Sequence, residues 1–289
     1  MPAMLLAMLP IGLMSQQATL AERPDAPNRV VLLGQRDDRL DAWQGDTGAW
    51  VVVGEATPNP VDAKLLVSTP GNGVAVNGPT GNTVNIESKA KHGDVFAHIE
   101  FMVPEGSNSG VYFQGRYEIQ VFDSWGVRAP QYSDCGGVYR RWDEVRQCRY
   151  EGHAPRVNVS RKPGEWQTFE VVFRSPRFDS QGKKIANARF ERVIHNGVVI
   201  HENVEVSGPT RAADYDDEQP TGPLMLQGDH GPVAFRNIWF IPLGTEPTSS
   251  VSRHAYSTDV GRPACLRRCI RFGSRRRQRG GYTCRTRFQ

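Results

Sequence analysis

The stretch Asp94-Val-Phe-Ala-His-Ile-Glu-Phe-Met-Val-Pro104 alternates strictly between two kinds of side chain. Val95, Ala97, Ile99, Phe101 and Val103 fall on one side; Phe96, His98, Glu100 and Met102 fall on the other. That period of two is a strand, not a helix. Shorter β-rich runs recur at Arg29 to Leu33, Trp50 to Val53, Lys64 to Val67, Val84 to Ile86, Gly110 to Gln114 and Arg116 to Phe122. Others follow at Trp166 to Phe173, Ala188 to Ile194, Val198 to Ile200, Leu224 to Gln227 and Val233 to Ile241. Turn chemistry separates them: Pro58-Asn59-Pro60, Pro70-Gly71-Asn72-Gly73, Gly78-Pro79-Thr80-Gly81, and Asn196-Gly197 as a hairpin turn. No run carries a helical period. The expectation is an all-β domain of two antiparallel sheets, a sandwich or barrel. Residues 124–163 read as a long irregular loop.

The formal charge of +4 hides an asymmetry. From Ser250 to Gln289 there are eleven Arg and one acid, Asp259, which puts +10 on that stretch and leaves −6 on the rest. The body is therefore mildly acidic, and the basic balance gives no reason to expect nucleic acid on it. Residues 245–289 lack an apolar period and read as a disordered Arg-rich tail. At the other end, Ala3 to Met14 is an apolar run too short to span a bilayer, followed by small Ala18 and Ala21. It fits a signal peptide over residues 1–21, hence a periplasmic or secreted protein. A lead-in segment over 22–44 then precedes the domain at 45–244, and no other segment is apolar enough to cross a membrane. In an oxidising compartment Cys135 and Cys148 are positioned in sequence to close a loop of about a dozen residues, worth about 3 kcal/mol.

Alternation in Arg116-Tyr-Glu-Ile-Gln-Val-Phe-Asp123 sends Tyr117, Ile119 and Val121 to one face and Glu118 and Gln120 to the other. Any one of these polar residues is by default a solvated outer position. Their neighbours Tyr112, Gln114 and Arg116 make them a hydrogen-bonding set suited to hydroxyls. Asn108-Ser109-Gly110 reads either as a turn or as a ligand-facing loop. A second cluster is Gln227-Gly-Asp-His-Gly-Pro232 with Arg236. His230, at a strand end, is placed for a base or a metal ligand. Arg236 reaches the acids, or merely pairs with Glu100 or Glu118. The acidic run Asp214, Asp216, Asp217, Glu218 reads as a surface loop or a calcium site.

The stretches Asn108 to Gly126, Lys162 to Trp166, Ser175 to Asp179, Asn196 to Val204 and Leu226 to Trp239 resemble the 3-keto-disaccharide hydrolase family. The resemblance runs from about Gly45 to Leu243. It implies a concanavalin-like jelly-roll sandwich with a groove on one sheet, and action on a small-molecule 3-keto-glycoside. A ketone at C3 acidifies the C2 hydrogen; a base removes it, the C1 substituent leaves by β-elimination, and water adds back. Such a site needs a base, a donor at the enolate oxygen and an acid. The matching polar residues are His230, Glu118 and Glu100 as catalytic candidates. Asn108, Ser109, Tyr112, Arg116, Gln120, Asp123, Gln227 and Arg236 are the substrate-binding candidates. His230 is expected as base, Glu118 as its partner or the acid. The sequence requires no cofactor and neither requires nor excludes a divalent metal. Two other readings stand beside this one: a carbohydrate-binding sandwich without chemistry, and an ordinary glycosidase using Glu100 and Glu118 as paired carboxylates.

Overall fold

A computed structural model describes residues 26–244. The expected signal peptide and Arg-rich tail lie outside the described residues. Strands are numbered in chain order. The large sheet runs β15 (Val198–Val206), β14 (Ala188–His195), β11 (Gln167–Arg174), β6 (Val95–Met102), β17 (Ala234–Pro242), β4 (Leu66–Val76) and β3 (Val51–Pro58), with β1 (Val30–Leu33) also on β17. The small sheet runs β2 (Trp43–Gln44), β5 (Ile86–His92), β16 (Gly222–Leu226), β7 (Asn108–Phe113) and β8 (Tyr117–Phe122). Two ribbons, β9 (Arg141–Asp143) with β10 (Cys148–Tyr150) and β12 (Arg177–Phe178) with β13 (Lys184–Ala186), decorate the connections. Every strand pair is antiparallel, and no helix forms among the described residues, so none there is long and apolar enough to cross a membrane. The all-β sandwich expected from the alternation is the fold.

The two sheets meet over one core. β6 contributes Val95, Ala97, Ile99 and Phe101, and β8 contributes Tyr117, Ile119 and Val121, as the alternation demands. Phe113 of the small sheet meets Phe173 of the large one at 5.2 Å between ring centroids, and Tyr117 meets the same ring at 5.4 Å. Each such aromatic removed from water contributes about 1.5–3 kcal/mol. His92 sits among Phe113, Phe173 and Phe240, its Nε2 accepting from the Gln114 backbone N–H.

Three local expectations change. Pro70–Gly73 does not separate two strands: it lies inside β4, in the register shift between the Thr69–Glu55 and Val74–Val53 pairs with β3. A Cβ on Gly71 would come within 2.5 Å of the Gly54 Cα, so two glycines permit two backbones to meet where other residues collide. The turn-forming composition records that contact, which is remote in sequence. The segment before Gly45 is not a separate lead-in, because β1 joins the large sheet and β2 the small one. The Cys135–Cys148 disulfide does not form. Cys135 is a free thiol packed in the core, while Cys148 stands on the β10 ribbon away from it.

Candidate functional site

Glu118 is the most unusual polar residue in the small sheet. It points away from the core, as alternation requires, yet only 2% of it is exposed. One row of side chains crosses this outer face. In register, Gln44 faces Glu87, Glu87 faces Met225, Met225 faces Tyr112, and Tyr112 faces Glu118. The row continues beyond β8. An isolated bridge pairs Ile119 with Val138, and the Tyr139 N–H donates to the Glu118 carbonyl, setting Tyr139 beside Glu118.

Gly110 makes room for the acid. A Cβ there would lie 2.4 Å from Glu118 Oε1 and 2.8 Å from the Tyr112 ring. The Tyr112 hydroxyl hydrogen-bonds Glu118. The Gln120 amide lies 3.0 Å from Glu118 Oε1 and 2.9 Å from the Ser109 carbonyl, and donates to both with its nitrogen on that side. Glu118 Oε2 is buried and has no partner. Burial pushes the carboxyl up to about 8; the Tyr112 bond lowers it in part and the charge of Asp229 adds to the rise. A protonated carboxylic acid at neutral pH with one oxygen unengaged is equipped to donate a proton.

The Asp229 felt by Glu118 sits on the loop leaving β16. Its Oδ1 lies 2.5 Å from His230 Nδ1, and both side chains are about half exposed, at 49% and 48%. With Nδ1–H donated to Asp229, Nε2 is the basic ring nitrogen. Asn77, at the end of β4, holds this loop. Its Nδ2 donates to the carbonyls of Gly228 (3.0 Å) and Gly231 (2.8 Å), and its Oδ1 accepts from the Val233 N–H at 2.8 Å. A Cβ on Gly228 would meet the Val84 carbonyl at 2.2 Å, so the residue between Gln227 and Asp229 has to be glycine.

Not all the expected site residues gather here. Tyr112, Glu118 and Gln120 form the floor, Gln227 continues it through its N–H to the Gly110 carbonyl, and Asn108 opens β7. Ser109 faces inward and ties β7 to β16 through the Gln227 carbonyl at 2.8 Å. Asp123 accepts from the Gly106 and Trp125 N–H groups and shapes a turn. Arg116 is buried and engaged: it donates to the Asp217 and Gln114 carbonyls and to the Asp217 carboxylate, with its guanidinium 4.4 Å from the Tyr215 ring. That engagement splits the acidic run. Asp217 takes Arg116, Glu218 takes Tyr117 and Lys184, and Asp214 takes Asn85.

Glu100 and Arg236 are elsewhere. β6 sends its apolar side into the core, so Glu100 leaves the opposite face of the sandwich from Glu118. There Arg236 Nε donates to Glu100 Oε2 at 2.6 Å, Asn237 donates to Oε1 at 2.8 Å, and His98 stands 3.5 Å away. Same-parity positions on two strands share a face only when the strands share a sheet, and these do not. The expected pairing of Glu100 with Glu118 is therefore overturned. Among the described residues no three His, Cys, Asp or Glu side chains converge in a form suited to a metal ion.

The sequence profile of the 3-keto-alpha-glucoside-1,2-lyase-like domain matches residues 33–241, well over half of the chain. The chain belongs to this family. Membership places it among carbohydrate-active proteins. The matched span starts at the end of β1, in keeping with the early strands being part of the sandwich. The crystal structure of a candidate glycosyl hydrolase from Parabacteroides distasonis is 27% identical with a TM-score of 0.53, over 75% of this chain and 84% of its own. Two further crystal structures of that description and organism are 19% and 16% identical, with TM-scores of 0.48 and 0.49. They align over 74% and 75% of this chain and 99% and 95% of their own. No curated protein matches this chain significantly.

Proposed function

We propose that the protein cleaves 3-keto-glycosides, with the Asp229–His230 pair as base and Glu118 as acid. The observation that carries this reading is the buried Glu118, its carboxyl raised by burial and further by the charge of Asp229, with Asp229 in turn hydrogen-bonded to His230. Two titratable centres in one site, one held protonated by burial and one open to water, supply acid and base at the same pH. His230 Nε2 takes the C2 proton and the electron pair moves to the C3 oxygen as an enolate. The C1–O bond breaks as Glu118 gives its proton to the leaving oxygen. Water then adds at C1, losing a proton to the Glu118 carboxylate, while His230 returns its proton to C2. The sum is hydrolysis without net oxidation. Arg116 and Arg236 are committed elsewhere and do not serve the enolate.

The family match and the candidate glycosyl hydrolase from Parabacteroides distasonis support action on a glycoside. The raised Glu118 supports an acid role. The test is a panel of glucosides and their 3-keto forms, with and without chelator, on wild type, Glu118→Gln and His230→Ala. Only the 3-keto forms should react, and only with wild type. Unchanged 3-keto-glycosides under every condition would sink the proposal. One observation keeps a second reading: Asp229 is close enough to act on Glu118 electrostatically. A conventional glycosidase would use that carboxylate pair and would turn over the unoxidised glucosides.

A further inference from the structure

Beyond Tyr139 the outer face of the small sheet changes chemical character. Arg140 donates through Nη1 to the Tyr132 hydroxyl at 2.9 Å and lies 5.7 Å from the Tyr132 ring, 5.5 Å from the Tyr139 ring and 5.9 Å from Trp142. Arg211 stands 4.6 Å from the same Trp142, and its backbone N–H donates to the Arg140 carbonyl. Elsewhere Arg116, Arg174, Arg177 and Arg236 each meet a carboxylate. Among the described residues neither Arg140 nor Arg211 does, and Arg140 Nε is buried with no hydrogen-bond partner. Two guanidiniums that meet no carboxylate thus stand at one indole, framed by aromatic rings, past the candidate acid.

Their place in the row gives them a role. Asp229 lies toward β16, Glu118 lies on β8, and Tyr139, Arg140 and Arg211 follow past β8. If the sugar ring occupies the space between His230 and Glu118, the group cut from C1 extends past Glu118 over Tyr139. We infer that Arg140, Trp142 and Arg211 form a leaving-group subsite that takes an aromatic or sugar aglycone bearing an oxyanion, a carboxylate or a sulfate. Paired guanidiniums bind such a group by charge-assisted hydrogen bonds, and Trp142 gives its carrier a flat face. The inference rests on the reaction proposed above for the direction of the leaving group.

Binding to unoxidised glycosides tests the subsite without requiring cleavage. Calorimetry compares phenyl glucoside, 4-carboxyphenyl glucoside, 4-sulfophenyl glucoside and phenyl glucuronide, on wild type, Arg211→Gln and Arg140→Gln, at low and high salt. The carboxyphenyl and sulfophenyl compounds should bind about tenfold tighter than phenyl glucoside at low salt. Salt should erode the advantage. Arg211→Gln should remove most of it, and the exposed position of Arg211 keeps the fold out of question. Phenyl glucuronide, with its carboxylate on the sugar ring, should gain nothing. Equal affinities for neutral and anionic aglycones overturn the inference. So does an advantage that survives in both arginine variants, or a gain confined to the glucuronide. If 3-keto-glycosides resist cleavage yet the anionic preference follows Arg211, the reaction falls and the subsite stands. If cleavage proceeds with no such preference, only the subsite falls.

Discussion

Glu100 and Glu118 leave the sandwich through opposite faces, one held by Arg236 and the other buried beside Tyr112. Two acids that the residue pattern treats alike thus have opposite electrostatics. Burial raises Glu100 less than its partners lower it: His98, Asn237 and Arg236 bring it down to about 2. Burial of Glu118 has no such answer, and its carboxyl rises to about 8.

Glu118→Gln should lose at least a hundredfold in kcat on a 3-keto-glycoside and gain stability. The folded carboxyl ionises near 8 and the unfolded one near 4.5, so ionisation opposes folding as pH rises between them. Below about pH 4.5 the variant and wild type should be equally stable; above pH 8 the variant should be ahead by about 4 kcal/mol. Urea titrations at pH 4.5, 7 and 8.5 read this directly. A variant less stable at pH 8.5 would show that the carboxyl is not held protonated.

Glu100→Ala should leave kcat and KM unchanged and cost about 1–3 kcal/mol, because it strands Arg236 and Asn237 in a partly buried network. The contribution of Glu100 is present above pH 4.5 and is lost as pH falls toward 2. Thermal melts with parallel turnover assays check both halves; a large fall in kcat would return Glu100 to the site.

His230→Ala and Asp229→Asn sit on an exposed loop, so each should keep stability within about 0.5 kcal/mol. Turnover should fall in both, more in His230→Ala, since Asp229 acts by orienting the ring. Unchanged turnover in His230→Ala would move the base elsewhere.

Three buried histidines should set the acid limit. Burial lowers His92 and His201 to about 4 and His195 to about 3. Each stabilises the fold above the unfolded value of 6.5, and that stability drains as pH falls toward 4. Glu118 works against them in the same window, gaining as pH falls. In the Glu118→Gln background the decline should therefore begin near pH 6.5 and be steeper than in wild type. A flat urea midpoint down to pH 4.5 in that background would contradict this.

Much of the sandwich was legible because burial repeats every second residue. Val95 to Met102 and Tyr117 to Phe122 needed nothing more. What failed was long-range. Pro70–Gly73 has local turn chemistry, but its glycines answer Gly54 on a neighbouring strand. Glu100 and Glu118 share parity but not a sheet, and a single strand carries no mark of which sheet it joins. Tyr139 was lost in the apparent loop over 124–163, because Gly136 and Gly137 hide the short strand-like run that pairs with β8. The inward Val138 and outward Tyr139 were the available sign. Cys135 and Cys148 were close in sequence, but the core claimed the first and a ribbon the second. Asp229 was visible only as a neighbour of His230; its effect on Glu118 depends on strand order.

The Asn77 clamp has a consequence for temperature. It ties the loop of Asp229 and His230 to the end of β4 in the large sheet, whereas Glu118 rides on the small one. The spacing of the proposed base from the proposed acid therefore depends on a hold that crosses the aromatic layer of Phe113 and Phe173, as well as on the Gln227 N–H bond to Gly110 within the small sheet. Warming that lets the sheets breathe would spread the two groups before either sheet melts, so turnover should decline at temperatures where the backbone is still intact.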